Sequence, residues 1–140
     1  MKRKKLTASM IALVMSVSLP MTTYAANWYL EDGSVTVNAD NSGQTVTQGG
    51  TSTPDEAPVI TQRESSVETG NTIGISTSDN ATANVTIKDI NIKSSKDAID
   101  VTGSSSANIT LEGDNKIFSE TGSALHVSNG NVTINGSGSL

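Results

Sequence analysis

The 140-residue sequence contains no cysteine, a single histidine and only 3% aromatic residues. The absence of cysteine excludes disulfide frameworks, cysteine-ligated zinc and thiolate nucleophiles. The single histidine, His126, excludes any site that needs two imidazoles. Because large rings usually supply much of the apolar area in a globular core, this chain must build its core mainly from aliphatic side chains.

Long apolar runs are also missing. The apolar stretch at 11–17 is interrupted by polar residues and falls short of the roughly 20 residues that span a bilayer. It follows a basic head at 2–5 and precedes small residues at Thr23 and Ala25, the pattern of a secretory signal peptide. We therefore predict that residues 1–25 are a signal peptide, cleaved after Ala25 or Ala26, and that the mature chain is secreted, free or at the cell surface.

Positive charge is scarce once this segment is removed. Residues 26–140 keep five basic side chains against fourteen acidic ones, which is a net charge of −9. Such a charge repels phosphate backbones and anionic lipid surfaces. We expect neither a nucleic-acid partner nor membrane association of the mature chain.

The sequence does contain a repeat, made of two interleaved patterns. The first, Asn-aliphatic-Thr-aliphatic, has starts 24 and 23 residues apart and occurs at 84–87, 108–111 and 131–134. The second, two aliphatic residues around a central one, recurs at intervals of 26 and occurs at 73–75, 99–101 and 125–127. Two series in one fixed order indicate a repeating structural unit. Their apolar and polar alternation is typical of strands with one buried face.

Three short strands per 23 to 26 residues predict an all-β fold, a right-handed parallel β-helix (solenoid) that is incomplete at the C-terminus. Its coils would stack at about 4.8 Å, with inward Val, Ile and Leu on their equivalents in the next coil. An immunoglobulin-like sandwich is the rival fold, but its strands need not repeat in register. We assign 26–66 to an N-terminal capping region, with strands and a Gly/Thr/Pro loop at 49–56, and 67–140 to the coils.

The repeat also predicts ladders of like side chains. Asn84, Asn108 and Asn131 are expected to stack at one coil corner, where their amides can bond to one another. The threonine two residues after each asparagine is expected to form a hydroxyl ladder. These positions are Asn-x-Thr sequons, but we favour the structural interpretation over glycosylation because the sequon follows from the repeat itself.

The two ends of the predicted solenoid differ. Trp28 and Tyr29 stand at the start, where an atypical unit is expected to cover the core. At the other end the sequence reaches Leu140 part-way through a coil, which leaves an open apolar core and an exposed strand edge. We expect either that a longer protein continues here, which we favour, or that this end associates end to end with another chain.

No catalytic constellation is present in the sequence: a Walker loop, a dinucleotide fingerprint and a nucleophile elbow are all absent, and we predict no enzyme and no catalytic residue. Asp89 and Asp114 lie in comparable turns one coil apart and are candidate calcium ligands, against the plainer interpretation as solvated turn acids. Together with Asp97 and Asp100, they are the best available carboxylates for a catalytic pair or a calcium site. His126 is interpreted as a surface histidine with no partner for a triad or a metal site.

A resemblance accompanies these patterns. It rests on Trp28, Gly33-Ser34-Val35-Thr36-Val37, Gln44-Thr45-Val46-Thr47-Gln48-Gly49, Ala57-Pro58-Val59-Ile60-Thr61 and Ala83-Asn84-Val85-Thr86-Ile87-Lys88-Asp89-Ile90-Asn91-Ile92. This succession resembles the N-terminal region of large repeat-containing surface proteins of Gram-positive anaerobes, and is similar to the secreted carbohydrate-binding β-helix proteins of cellulolytic bacteria. The resemblance implies a right-handed parallel β-helix, an extracellular location and binding of acidic or cellulosic polysaccharide, with calcium as a partner ion.

The function expected from these observations is a non-catalytic, secreted or surface-displayed β-helix segment that binds carbohydrate or attaches to a surface. Flat faces of outward Thr, Asn and Asp offer hydrogen-bond partners to sugar hydroxyls. Trp28 and Tyr29 are the candidates for stacking on a sugar ring, with Phe118 as a further aromatic. The alternatives are a structural stalk or fragment without a ligand and the remnant of a polysaccharide-degrading enzyme.

Overall fold

Short strands with alternating buried and exposed residues make up most of the protein. The computed structural model describes residues 25–140, so all but the last residue of the predicted signal peptide lies outside the described residues. The strands are β1 (Asn27–Tyr29), β2 (Val35–Asp40), β3 (Gly43–Gln48), β4 (Thr51–Pro54), β5 (Val59–Thr61), β6 (Ile73–Thr77), β7 (Thr82–Lys88), β8 (Asn91–Ser94), β9 (Ile99–Gly103), β10 (Ser106–Glu112), β11 (Lys116–Ser119), β12 (Leu125–Val127) and β13 (Asn131–Gly136). A 3₁₀ turn at Leu30–Asp32 follows β1.

These strands form three sheets in which successive coils pair in parallel. The first sheet has the order β1-β5-β7-β10-β13, and the second has the order β12-β9-β6-β2-β3-β4. The third pairs β8 with β11. This arrangement is a β-solenoid of about three turns, which confirms the predicted parallel β-helix.

The core consists of columns of stacked aliphatic side chains. Val35, Ile73 and Ile99 lie opposite one another on adjacent strands, and each is at most 1% exposed. Leu125 continues the column in the next coil. Each such side chain contributes roughly 1.5–3 kcal/mol through burial, and β-branched residues fit both the strand backbone and the narrow interior. This is how a chain with few aromatic residues still forms a continuous core.

The predicted asparagine ladder contains two members rather than three. Asn108 lies opposite Asn84, and its Nδ2 donates to Asn84 Oδ1 at 3.0 Å. Asn131 instead lies opposite Ser106, while Thr133 lies opposite Asn108. A shift of two residues keeps the same side chains facing inward, so the repeated motif could not distinguish this register from the predicted one.

The hydroxyl ladder is shifted in the same way. Thr86 and Thr110 lie opposite each other, but the next member is Asn135, whose Oδ1 accepts a hydrogen bond from Thr110 Oγ1 at 3.0 Å. Thr133 is therefore not part of this ladder.

An antiparallel hairpin covers the start of the second sheet. The segment 49–56, predicted as a loop, contains β4, which pairs with β3, and β3 pairs with the outer edge of β2. Gly49 and Gly50 form the two-residue turn with φ of 58° and 79°, as a type I′ hairpin requires. The parallel coils themselves begin at β1 and β2, and this hairpin is the part of 26–66 that departs from the coil pattern.

At the opposite end, β13 pairs with β10 and with no other strand of the described residues. Ile134 on this strand is 42% exposed. End-to-end association through this edge stays a prediction. Within residues 25–140 no helix has the length and apolar character to span a membrane.

Candidate functional site

A groove lies on the outer face of the first sheet, near the start of the solenoid. We call it the Tyr29 groove. Its volume is about 430 Å³, and it is lined by Asn27, Tyr29, Val59, Thr61, Gln62, Arg63, Lys88 and Glu112. Its floor is one row across four strands, because Tyr29 lies opposite Thr61, Thr61 opposite Lys88, and Lys88 opposite Glu112. Parallel stacking thus brings together a ring, a hydroxyl, a cation and a carboxylate from four separate segments.

Arg63 forms one wall of this groove. Its guanidinium lies 4.0 Å from the centroid of the Tyr29 ring, within the range of a cation–π interaction. It also donates to both carboxylate oxygens of Asp32, at 2.9 and 2.7 Å. These hydrogen bonds lower the pKa of Asp32 and raise that of Arg63. Both side chains of this ion pair are half exposed. Its main effect is therefore to hold the guanidinium in one position over the Tyr29 ring.

The far side of the groove carries a second ion pair, between Lys88 Nζ and Glu112 Oε2 at 3.4 Å. Both side chains are about half exposed and lie on adjacent strands. Exposed pairs of this kind contribute little stability. Because both side chains are half exposed, their charged groups are accessible to a ligand in the groove.

The two aromatic candidates lie in different environments. Trp28 alternates inward from Tyr29, packs against the core, and donates from Nε1 to Asp55 Oδ2 at 2.9 Å. Tyr29 faces the groove, with Arg63 over one face of its ring. Of the two, Tyr29 is therefore placed to meet a ligand, whereas Trp28 helps to cover the core.

A second group of functional side chains lies on the second sheet. We call Asp97, Asp100 and His126 the His126 cluster. His126 Nδ1 lies 2.9 Å from Asp100 Oδ1 and 3.5 Å from Asp97 Oδ2. Asp97 and Asp100 also line a smaller groove of about 280 Å³, whose other lining residues include Thr36, Gly74 and Lys96. His126 is indeed at the surface, with 44% of its side chain exposed, but it has carboxylate partners that the sequence interpretation did not give it.

The signal for this cluster was present in the sequence. His126 and Asp100 occupy the same position of the pattern that recurs every 26 residues, and the structure pairs them directly. The repeat interval therefore predicts this contact when it is extended from apolar to polar positions. By contrast, the contacts of Arg63 with Tyr29 and Asp32 could not be predicted from the sequence, because these residues are not separated by a repeat interval.

The His126 cluster has the donor atoms of a metal site. Its three ligand atoms all lie within 4.8 Å of one another. One imidazole nitrogen with two carboxylate oxygens suits a transition metal such as zinc better than calcium, which prefers oxygen alone. However, the hydrogen bond to Asp100 raises the pKa of His126, with Asp97 and Asp100 adding to the effect through their charges. A proton competes with a metal ion for the imidazole nitrogen, so any metal binding by this cluster would weaken as the pH falls.

Asp89 and Asp114, the predicted calcium ligands, have different contacts. Asp89 Oδ1 accepts a hydrogen bond from the backbone N–H of Asp114 at 3.1 Å. Asp114 Oδ1 in turn accepts from Ser139 Oγ at 3.4 Å. Neither belongs to a group of three metal-capable side chains among residues 25–140. Calcium binding at this corner stays a prediction.

We expect the pKa of His126 to lie above its usual value. Replacing Asp100 with Asn should lower it, because the largest contribution to the shift is the Asp100 hydrogen bond. Since the pKa of His126 is raised in the folded state, the interaction of protonated His126 with Asp100 stabilises the folded protein fully below the unfolded-state pKa. This stabilisation is lost as the pH rises through the folded-state pKa. An NMR titration of the single histidine measures this directly. The Asp89→Asn variant is the control, and an unchanged His126 pKa in Asp100→Asn would contradict the assignment.

The fold and these two surfaces define a β-solenoid protein with a polar groove and an inter-coil ion-pair cluster. In comparisons with protein-family models, curated proteins and solved structures, nothing matches this chain.

Proposed function

We propose that the protein is a secreted or surface-displayed, non-catalytic β-solenoid module that binds polysaccharide in the Tyr29 groove. The observation that carries this proposal is the row of Tyr29, Thr61, Lys88 and Glu112 along the groove floor. The export pattern at residues 1–25 supports an extracellular location.

The chemistry of the groove suits a sugar chain. A pyranose ring presents apolar C–H faces, which pack on an aromatic ring, and hydroxyl edges, which both donate and accept hydrogen bonds. Tyr29 offers the ring, while Arg63 and Lys88 offer donors and Glu112 offers acceptors. The lining is mostly polar, with Tyr29 and Val59 as its main apolar contributions, which suits a ligand rich in hydroxyl groups.

The net charge argues for a neutral polysaccharide. Residues 26–140 carry fourteen acidic and five basic side chains, and both cations of the groove already face carboxylates. An acidic polysaccharide would be repelled unless a cation bridged it. We therefore expect a neutral, cellulose-like glucan to bind without calcium, and an acidic pectic chain to need it.

The alternative is a structural stalk without a ligand. It is favoured by the contacts that the aromatic residues already make, since Arg63 covers one face of Tyr29 and Trp28 packs into the cap. On that alternative Tyr29 serves only to hold Arg63 and Asp32 in place. Removing Tyr29 would then lower stability, and no polysaccharide would bind either with or without it.

Binding assays on the exported protein separate these two functions. A panel of neutral and acidic polysaccharides, each with and without calcium, should show binding to at least one polymer. Tyr29→Ala should weaken that binding by about tenfold or more, a loss of about 1.4 kcal/mol, through loss of the stacking ring. Affinity electrophoresis or calorimetry gives the dissociation constants.

Phe118→Ala is the matched control, because Phe118 is also an exposed aromatic, at 56%, but lies on β11 outside the groove. It should bind as the unaltered protein does. Equal losses in both variants, or no binding to any polymer while circular dichroism shows a folded protein, would contradict the proposal and favour the stalk.

A further inference from the structure

Asp55 is a buried carboxylate whose partners in the structure are all neutral. It is 2% exposed. Its Oδ2 accepts from Trp28 Nε1 at 2.9 Å and from the backbone N–H of Ala26 at 3.1 Å, and its Oδ1 accepts from the backbone N–H of Ala57 at 3.1 Å. Among residues 25–140, no lysine, arginine or histidine forms an ion pair with it. A buried charge is costly unless it is paired, and this one lacks a cation.

The nitrogen of Ala26 is the partner that could become a cation. Ala26 comes immediately before β1, and its carbonyl accepts from Val59 N–H at 2.9 Å, so it is fixed at the edge of the first coil. Ala25 and Ala26 are both exposed. The bond between them follows small residues at Thr23 and Ala25, the positions that a signal peptidase reads.

We propose that the Ala25–Ala26 peptide bond is a processing site, and that its hydrolysis places the new α-ammonium group of Ala26 against Asp55. A signal peptidase would split this bond with one water molecule. Ala25 keeps a carboxylate, and Ala26 receives an amine that takes up a proton at neutral pH. A neutral donor 3.1 Å from Asp55 Oδ2 thereby becomes a cation, and the buried carboxylate gains its counter-ion.

The geometry distinguishes this bond from its neighbour. Cleavage after Ala26, the other bond allowed by the sequence pattern, would make Asn27 the first residue. That chain would lose the Ala26 hydrogen bonds to both Asp55 and Val59. Cleavage after Ala25 keeps both hydrogen bonds and adds a positive charge to the donor that faces Asp55. The cleavage that removes the signal peptide therefore also provides the counter-ion of Asp55.

The position of cleavage is tested by export of the full chain. This inference depends on the proposed secretion but not on polysaccharide binding, so the two can fail separately. A bacterial secretion host expressing residues 1–140 should release a protein whose intact mass corresponds to 26–140. A mass that corresponds to 27–140, to a cut elsewhere, or to the uncut chain would overturn the assignment of the site.

The ion pair is tested by comparing two start sites. Chains 26–140 and 25–140 differ by one residue, and in the longer chain the α-ammonium moves away while position 26 keeps a neutral N–H. The chain that begins at Ala26 should melt higher, by roughly 3 °C or more. In Asp55→Asn the difference between the two start sites should vanish. Equal melting temperatures of the two unaltered chains, or the same difference in Asp55→Asn, would overturn the ion pair. The comparison of start sites needs no substitution, so it decides even where Asp55→Asn does not fold.

Discussion

Replacing Ile109 with alanine should lower the free energy of unfolding by about 2–5 kcal/mol. Ile109 is 2% exposed and lies between Val85 and Ile134 in one column of the core. The substitution removes buried methyl groups and leaves a cavity that strands on both sides cannot close without breaking their register. Urea denaturation monitored by circular dichroism measures the loss.

Ile134→Ala provides the matched control, since Ile134 occupies the same column one coil later but is 42% exposed. The same atoms are removed from a position that retains much of its contact with water. We expect a loss below about 1.5 kcal/mol, because transfer free energy scales with the area that was buried. Equal losses in the two variants would show that this column does not form the continuous core described here.

Replacing Gly103 with alanine should have an effect of similar size through the backbone. Gly103 has φ of 110°, outside the region that L-residues adopt readily, and lies opposite Thr77 in the preceding coil. A Cβ atom there would lie 2.0 Å from the carbonyl oxygen of Thr77. An alanine at this position would therefore both strain the backbone and clash with a backbone atom, and moving a side chain would relieve neither effect. We expect a loss of about 2–4 kcal/mol.

Gly70→Ala tests whether this effect belongs to the position rather than to glycine in general. Gly70 does not have a positive φ, and a Cβ there would meet its nearest atom, the carbonyl oxygen of Lys93, at 3.9 Å. Its replacement should change stability by less than about 1 kcal/mol and can be stabilising, because alanine restricts the unfolded chain. Thermal unfolding of the two variants side by side gives the comparison. A Gly103→Ala protein as stable as Gly70→Ala would contradict the close stacking of these coils.

Most of the fold could be predicted from the repeat intervals. The 26-residue spacing of Ile73, Ile99 and Leu125 correctly placed them in one core column, because a solenoid turns equal sequence spacing into spatial contact. The same spacing contained the contact between His126 and Asp100. Stacking brings every position of a coil, polar or apolar, next to its equivalent in the next coil, so the interval predicts contacts between polar residues as well as between core residues.

The Tyr29 groove and the Asp55 carboxylate could not be predicted in the same way. The groove depends on the loop after β5, which carries Arg63 back over Tyr29 and to Asp32. The position of Asp55 depends on the hairpin of β3 and β4, which interrupts the coil pattern and places the carboxylate next to Ala26. These contacts join segments of unequal spacing, so no interval in the sequence marks them.

By itself, the sequence determined most strands of the parallel coils, their inward faces and the stacking of most coils, because alternation of apolar and polar residues sets the face of a strand and regular spacing sets its neighbour. Only the tertiary structure decided the register of β13, since a shift of two residues leaves that alternation unchanged. Only the tertiary structure also showed which polar groups meet across the irregular loops, since chain connections of different length can bring the same residues together or keep them apart. The proposed groove and the proposed processing site both depend on such contacts.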